Sequence, residues 1–188
     1  MEDCMLSGPE WCGRFPGSAS VDDLLPDFAG RVRAFLAALK AGGARVRIAA
    51  TFRPPERAFL MHWAWQVAHA GHDPAAIPRR KTIPIAWLHR DAKGRADIVA
   101  SRAAAAAMVR RYGIRYAPAL TSRHTQRRAV DMAVGWTGTL ALRDAAGQLR
   151  PIATGPRTGS NRALIEIGAG YGVRKLVRDP PHWSDDGH

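Results

Sequence analysis

Long apolar runs are missing from this chain of 188 residues. No stretch approaches the roughly 18 uninterrupted apolar residues of a membrane span, so no transmembrane helix is expected. The start, MEDCMLSGPEWCGRFPG, has neither a basic n-region nor an apolar h-region and does not read as an ordinary secreted precursor. Cysteine is scarce, with only Cys4 and Cys12. Their closeness leaves pairing open, but one pair near a terminus is no disulfide framework and two isolated thiols are no metal cluster. Repeats, heptads and low-complexity tracts are also missing, apart from an alanine run at 103–107, which sets aside solenoids and coiled coils.

Acid is scarce where base is abundant. The formal charge is +12, but residues 1–30 carry six acids against Arg14, and beyond Arg178 there are three acids and no base. Residues 31–178 therefore hold 27 bases and 7 acids, a net of +20. Such a surface favours polyanions: nucleic acid, anionic lipid or the acidic polymers of a bacterial envelope. No zinc-finger, homeodomain or RRM signature accompanies the charge, and the arginines form no obvious stripe, so no specific nucleic-acid partner is expected. What is present is the material of a core, 46% hydrophobic residues with six tryptophans, on a length that suits one domain. A lead at 1–20 followed by a single domain over 21–188, acting as a monomer, is the simplest organisation.

Within that span, Val21 to Ala41 has Val32, Phe35, Leu36 and Leu39 at helical spacing before Gly42-Gly43. Residues 45–51 alternate as a short strand, 56–70 form a strongly apolar helix closed by Gly71, and 77–84 is a basic, proline-punctuated loop. A third helix over 101–112 has Ser101 as its cap and Gly113 as its stop. Residues 129–134, 138–143 and 148–153 read as strands, the last two joined across DAAG as a hairpin. A short helix at 161–169 and a strand at 173–177 complete the pattern. The fold class is α+β, with helices packed on a small, mainly antiparallel sheet.

The chemistry concentrates in two segments. SRHTQRRAVD, 122–131, sets a histidine at the end of a loop and, seven positions on, an aspartate in an apolar strand. Val130, Met132 and Val134 share one face of that strand, and Ala129, Asp131 and Ala133 the other. A carboxylate so placed needs a cation or several donors; a metal satisfies it, and so does one of the many arginines. Asp179-Pro180-Pro181-His182-Trp183 then holds a carboxylate and an imidazole at a rigid offset. Two imidazoles and one carboxylate leave a fourth position open, the arrangement of catalytic zinc, and a further carboxylate can take the proton of a water. Trp183 stands either in a pocket wall or in the core. His62 and His69 share a helical face, with His72 just past its end, but ordinary packing or surface roles suit them.

Ser-x-His, Ala-x-Asp ending seven residues after the histidine, and Asp-x-x-His followed by an aromatic together resemble the zinc peptidases that include D-alanyl-D-alanine carboxypeptidases and dipeptidases and phage L-alanyl-D-glutamate endopeptidases. Ala50-Thr51-Phe52-Arg53-Pro54-Pro55-Glu56 resembles their Ser-Gly-Tyr-Arg segment, without the tyrosine hydroxyl. The resemblance spans about 45–184 and implies a hedgehog/D-Ala-D-Ala peptidase-like fold. It implies Zn²⁺ on His124, Asp131 and His182, Asp179 as general acid/base, Arg53 at the developing oxyanion, and Ser122 and Trp183 beside the substrate. Where such enzymes usually have glycine three residues after the first histidine, Arg127 stands here, and a bulky residue can sit in such a loop if φ stays negative.

The function these readings imply is hydrolysis of a peptide bond in peptidoglycan stem peptides, as a carboxypeptidase or endopeptidase. With no signal peptide seen, the protein is expected to be made in the bacterial cytoplasm and to act in the periplasm or on the wall. It would arrive there by lysis, as a phage lysin, or by a contact-dependent secretion machine, as an antibacterial effector with an immunity partner. The rivals are a wall-binding protein of the same fold that has lost turnover, and a basic nucleic-acid-binding protein.

Overall fold

The structure is a computed structural model and describes residues 4–188; Met1, Glu2 and Asp3, at the front of the expected lead, lie outside the described residues. In chain order the elements are β1 (Met5–Leu6), α1 (Pro26–Ala41), β2 (Arg45–Ala50), α2 (Pro55–His69), β3 (Ile85–Ala86), β4 (His89–Arg90), β5 (Ala96–Asp97), α3 (Ile98–Tyr112), β6 (Ala129–Gly135), β7 (Leu140–Arg143), β8 (Leu149–Ile152), α4 (Arg162–Gly170), β9 (Arg174–Lys175) and β10 (His182–Ser184). This is the α+β class, with small and mainly antiparallel sheets.

Two compact units divide the chain: one is built from residues up to Pro16 together with Pro54–Thr121, the other from Gly17–Arg53 with Ser122–His188. Residues 4–20, read from the sequence as a lead, divide between them, 4–16 in the first and 17–20 in the second. Residues 4–16 are structural, because Trp11 and Cys12 are large or apolar enough to be buried rather than solvated, Trp11 at 0% exposure.

In the first unit, α2 and α3 pack on each other around Phe59, Leu60, Ala64, Val67, Ala105 and Met108. α3 begins three residues before the expected Ser101 cap, since the Asp97 side chain accepts from Ala100 N–H. Ser101 instead turns inward, its Oγ donating to the Asp97 carbonyl at 2.7 Å and accepting from the His89 N–H at 2.8 Å. Gly113 ends the helix at φ +68°, a left-handed cap that costs glycine nothing.

The second unit is a four-stranded sheet in the order β2-β6-β10-β9, every neighbouring pair antiparallel. Helices α1 and α4 supply Phe28, Val32, Phe35, Leu39, Leu164 and Ile167 to a core shared with Val130, Met132 and Val134 of β6. Gly168 is required by close approach: a Cβ there would come within 2.8 Å of Trp183 and 3.0 Å of the Val173 carbonyl. The predicted DAAG hairpin joins β7 to β8. The sheet has one strand the proline-rich sequence hides, β10, which pairs with β6 on one side and β9 on the other.

Candidate metal centre

Register builds the site. Asp131 lies opposite His182 on β10 and opposite Ala50 on β2, where the pairing shifts after Ile48. Facing residues of antiparallel strands put their side chains on one side of the sheet, so Asp131 and His182 meet by pairing alone. Val130, Met132 and Val134 are buried against the helices, which leaves Asp131 on the opposite face, half-buried between two alanines. Small neighbours leave it room.

His124 comes from the turn before β6. Ser122 closes that turn: its Oγ accepts from the Thr125 N–H at 3.4 Å, while the Thr125 hydroxyl donates to the Ser122 carbonyl at 2.8 Å. The His124 carbonyl accepts from the main-chain N–H of Arg53 at 3.2 Å, so the segment that follows β2 is tied to the histidine loop. Arg53 is half-buried in the same unit.

The three side chains converge closely. His124 Nε2 stands 3.1 Å from Asp131 Oδ1 and 3.2 Å from His182 Nδ1, and His182 Nδ1 is 3.1 Å from Asp131 Oδ1. Both imidazoles are buried. The far side of each ring decides what the near side offers. His124 Nδ1 lies 3.0 Å from the Thr51 carbonyl and His182 Nε2 lies 3.1 Å from the His188 main-chain oxygen. A carbonyl oxygen only accepts, so those nitrogens carry the protons of the neutral rings. His124 Nε2 and His182 Nδ1 are left with lone pairs aimed at each other and at a carboxylate oxygen. One proton placed between any two of these acceptors leaves the third facing a lone pair. A metal ion serves all three, and among the described residues this is the group of histidine, cysteine, aspartate and glutamate side chains close enough to hold one.

The surrounding residues brace this arrangement. Asp186 pairs with Arg123, accepts from the Ser184 hydroxyl at 3.2 Å and accepts from the His188 N–H at 3.1 Å, which folds the segment back so that the His188 oxygen reaches His182. Asp185 is bound by Arg128 at 2.8 Å. Lys175, which nothing in the motif suggested, is only 8% exposed, and its ammonium faces the main chain of the turn leading to His182. Burial lowers its pKa, and the charges of Asp179 and Asp131 oppose that. An inward-facing lysine two residues after Val173 on a strand was the available signal.

Three expectations need correction or refinement. Trp183 is a core residue rather than a pocket wall: it is 0% exposed and packs on Phe35 at a ring-centroid distance of 5.7 Å. Side chains alternate along a strand, so the neighbour of a site-facing histidine must face the other way. Arg127 does not keep a negative φ; it sits at +62°, the one non-glycine residue with positive φ among those described. Its Nε donates to the Asp23 carbonyl at 2.5 Å, its carbonyl accepts from the Leu25 N–H, and its guanidinium lies 5.8 Å from the centre of the Phe52 ring, contacts that hold the strained backbone. Asp179 is exposed at the start of a turn whose closing bond runs from the His182 N–H to the Asp179 carbonyl at 3.1 Å. The cysteines are free, Cys4 exposed and Cys12 buried. Among the described residues no helix is long and apolar enough to cross a membrane. Searches with protein-family models, curated proteins and solved structures find no match to this chain.

Proposed function

We propose that this protein is a zinc-dependent peptidase acting on peptidoglycan stem peptides, with the metal held by His124, Asp131 and His182. The observation that carries the metal is the convergence of two imidazole lone pairs and a carboxylate oxygen with no proton to share. Zinc suits the set: nitrogen and oxygen donors at its usual bond lengths stand about 3.3 Å apart in a tetrahedron, close to the separations here, and three protein ligands leave the position that catalytic sites keep open. Both imidazoles donate their other N–H to an oxygen, as metal-bound histidines do.

Bound there, zinc supplies a Lewis acid that polarises a carbonyl and lowers the pKa of water. The Asp179 carboxylate accepts the proton of the attacking water and returns it to the leaving amine nitrogen. The Arg53 guanidinium stabilises charge that develops on the scissile carbonyl oxygen, an interaction strongest in the transition state. The substrate class rests on the resemblance of the Ser-x-His, Ala-x-Asp and Asp-x-x-His segments to cell-wall peptidases, and a net positive charge would concentrate the protein on an anionic wall.

The test is mass spectrometry of purified peptidoglycan fragments after incubation with the zinc-loaded protein, the chelated protein and Asp179→Asn. Cleavage at one stem-peptide bond by the loaded wild type alone supports the reading. Fragments that stay intact while zinc is bound would replace it with a wall-binding protein that keeps the metal without turnover.

A further inference from the structure

An ammonium placed in a sheet core is costly to desolvate, and an apolar residue beside Trp183 would be the cheaper choice unless the charge has something to hold. At Lys175 every donor is used. Nζ donates to the carbonyls of Leu176 at 2.9 Å, Asp179 at 2.5 Å and His182 at 3.0 Å, and it lies 5.5 Å from the centre of the Trp183 ring. These carbonyls belong to the first residue of the loop between β9 and β10, to the residue that opens its tight turn, and to the first residue of β10. The same loop has few main-chain bonds of its own: Asp179 N–H to Leu176 at 3.0 Å, His182 N–H to Asp179 at 3.1 Å and Leu176 N–H to His182 at 3.1 Å. Those bonds and the ammonium share the same three carbonyls.

We infer that Lys175 is the positioning residue of this site: its side chain gathers the Leu176, Asp179 and His182 carbonyls onto one point and so sets the offset between the Asp179 carboxylate and the His182 ligand nitrogen. The role of the loop's two side chains rests on the zinc-site reading, whereas the gathering of the loop does not. Methionine matches the length of lysine but offers no donor, and arginine keeps the charge on a planar fork that does not direct three N–H groups toward one centre as an ammonium does. A structural lysine contributing only stability would leave the ligand geometry of the folded protein unchanged.

The experiment compares the wild-type full chain with Lys175→Met and Lys175→Arg in two measurements. In the metal-free proteins, amide exchange is followed at Leu176, Asp179 and His182, with β6 amides as the reference. Exchange at those three is expected to quicken at least about tenfold in Lys175→Met while β6 is unchanged. Co²⁺ titration with its visible spectrum then reads the ligand geometry, with affinity falling about 10- to 100-fold in Lys175→Met, an altered band, and a partial recovery in Lys175→Arg. Unchanged loop exchange in a folded Lys175→Met overturns the inference, as does global loss of protection in both variants. If the wild type binds no Co²⁺ at all, the metal reading falls, and the exchange measurement alone still decides whether Lys175 organises the loop.

Discussion

The two units treat histidine differently. In the first, His62 Nδ1 lies 2.7 Å from the Pro118 carbonyl and stacks edge-on with Trp63, and His89 Nε2 lies 3.0 Å from the Ser7 hydroxyl. Each of these nitrogens meets one uncharged oxygen, and neither meets a carboxylate. In the second unit, each of His124 and His182 has one nitrogen on a main-chain oxygen and the other facing a carboxylate. The difference lies in the second nitrogen: a histidine can serve as a ligand where one ring nitrogen is committed to an oxygen and the other faces further donor atoms. In the second unit the Thr51 carbonyl after β2 and the folded-back segment ending in His188 supply the oxygens.

The comparison breaks first on catalysis. On the proposed reading, Asp179→Asn should keep its metal and lose about 10²- to 10⁴-fold in turnover, because it removes the carboxylate assigned as the base. Asp131→Asn should lose metal instead, since it replaces a charged ligand with a neutral one. Zinc content measured beside hydrolysis rate separates the two, and His62→Ala in the first unit should move neither. Arg53→Ala comes next, with about 10²-fold lower kcat at normal zinc content, the scale of removing one oxyanion donor. A wild-type rate in that variant would leave Arg53 outside the catalytic machinery.

Much of this was legible in the sequence, for reasons particular to each element. The helices now bounded as α1, α2 and α3 show in apolar residues at helical spacing and in the glycines that stop them. The three residues of the candidate metal centre show through the Ser-x-His, Ala-x-Asp and Asp-x-x-His segments that carry them. β10 does not show, since three residues after two prolines carry no periodicity, and it is recruited by pairing on both sides. With β10 unseen, the alternation that sends Trp183 into the core was unseen as well. Lys175 reads as surface charge until Val173 is known to face inward. The two-unit division leaves no composition shift at Pro16, Arg53 or Thr121 for a reader to find.

Packing sharpens the contrast further. Gly168→Ala should lower stability by about 1–3 kcal/mol, because the new Cβ overlaps Trp183 and the Val173 carbonyl in a filled core. Gly13→Ala in the first unit meets no neighbouring atom within 4 Å and should be close to neutral in the same thermal melt. The smallest effect concerns backbone strain. Both units contain a left-handed turn, at Gly113 in one and Arg127 in the other. Gly113→Ala should cost about 1–2 kcal/mol, and Arg127→Gly should be more stable than Arg127→Ala by a similar margin. Equal stabilities for the two Arg127 variants would mean that the positive φ carries no strain.

The central claim is that a triangle of acceptors in the second unit holds one metal ion, and zinc titration of the metal-free protein tests it most directly. The account predicts one Zn²⁺ per chain in the wild type and in a His62→Ala/His72→Ala double variant, and none retained by His124→Ala/His182→Ala. Equal zinc uptake by the wild type and the His124→Ala/His182→Ala variant, or no uptake by the folded wild type, would contradict it.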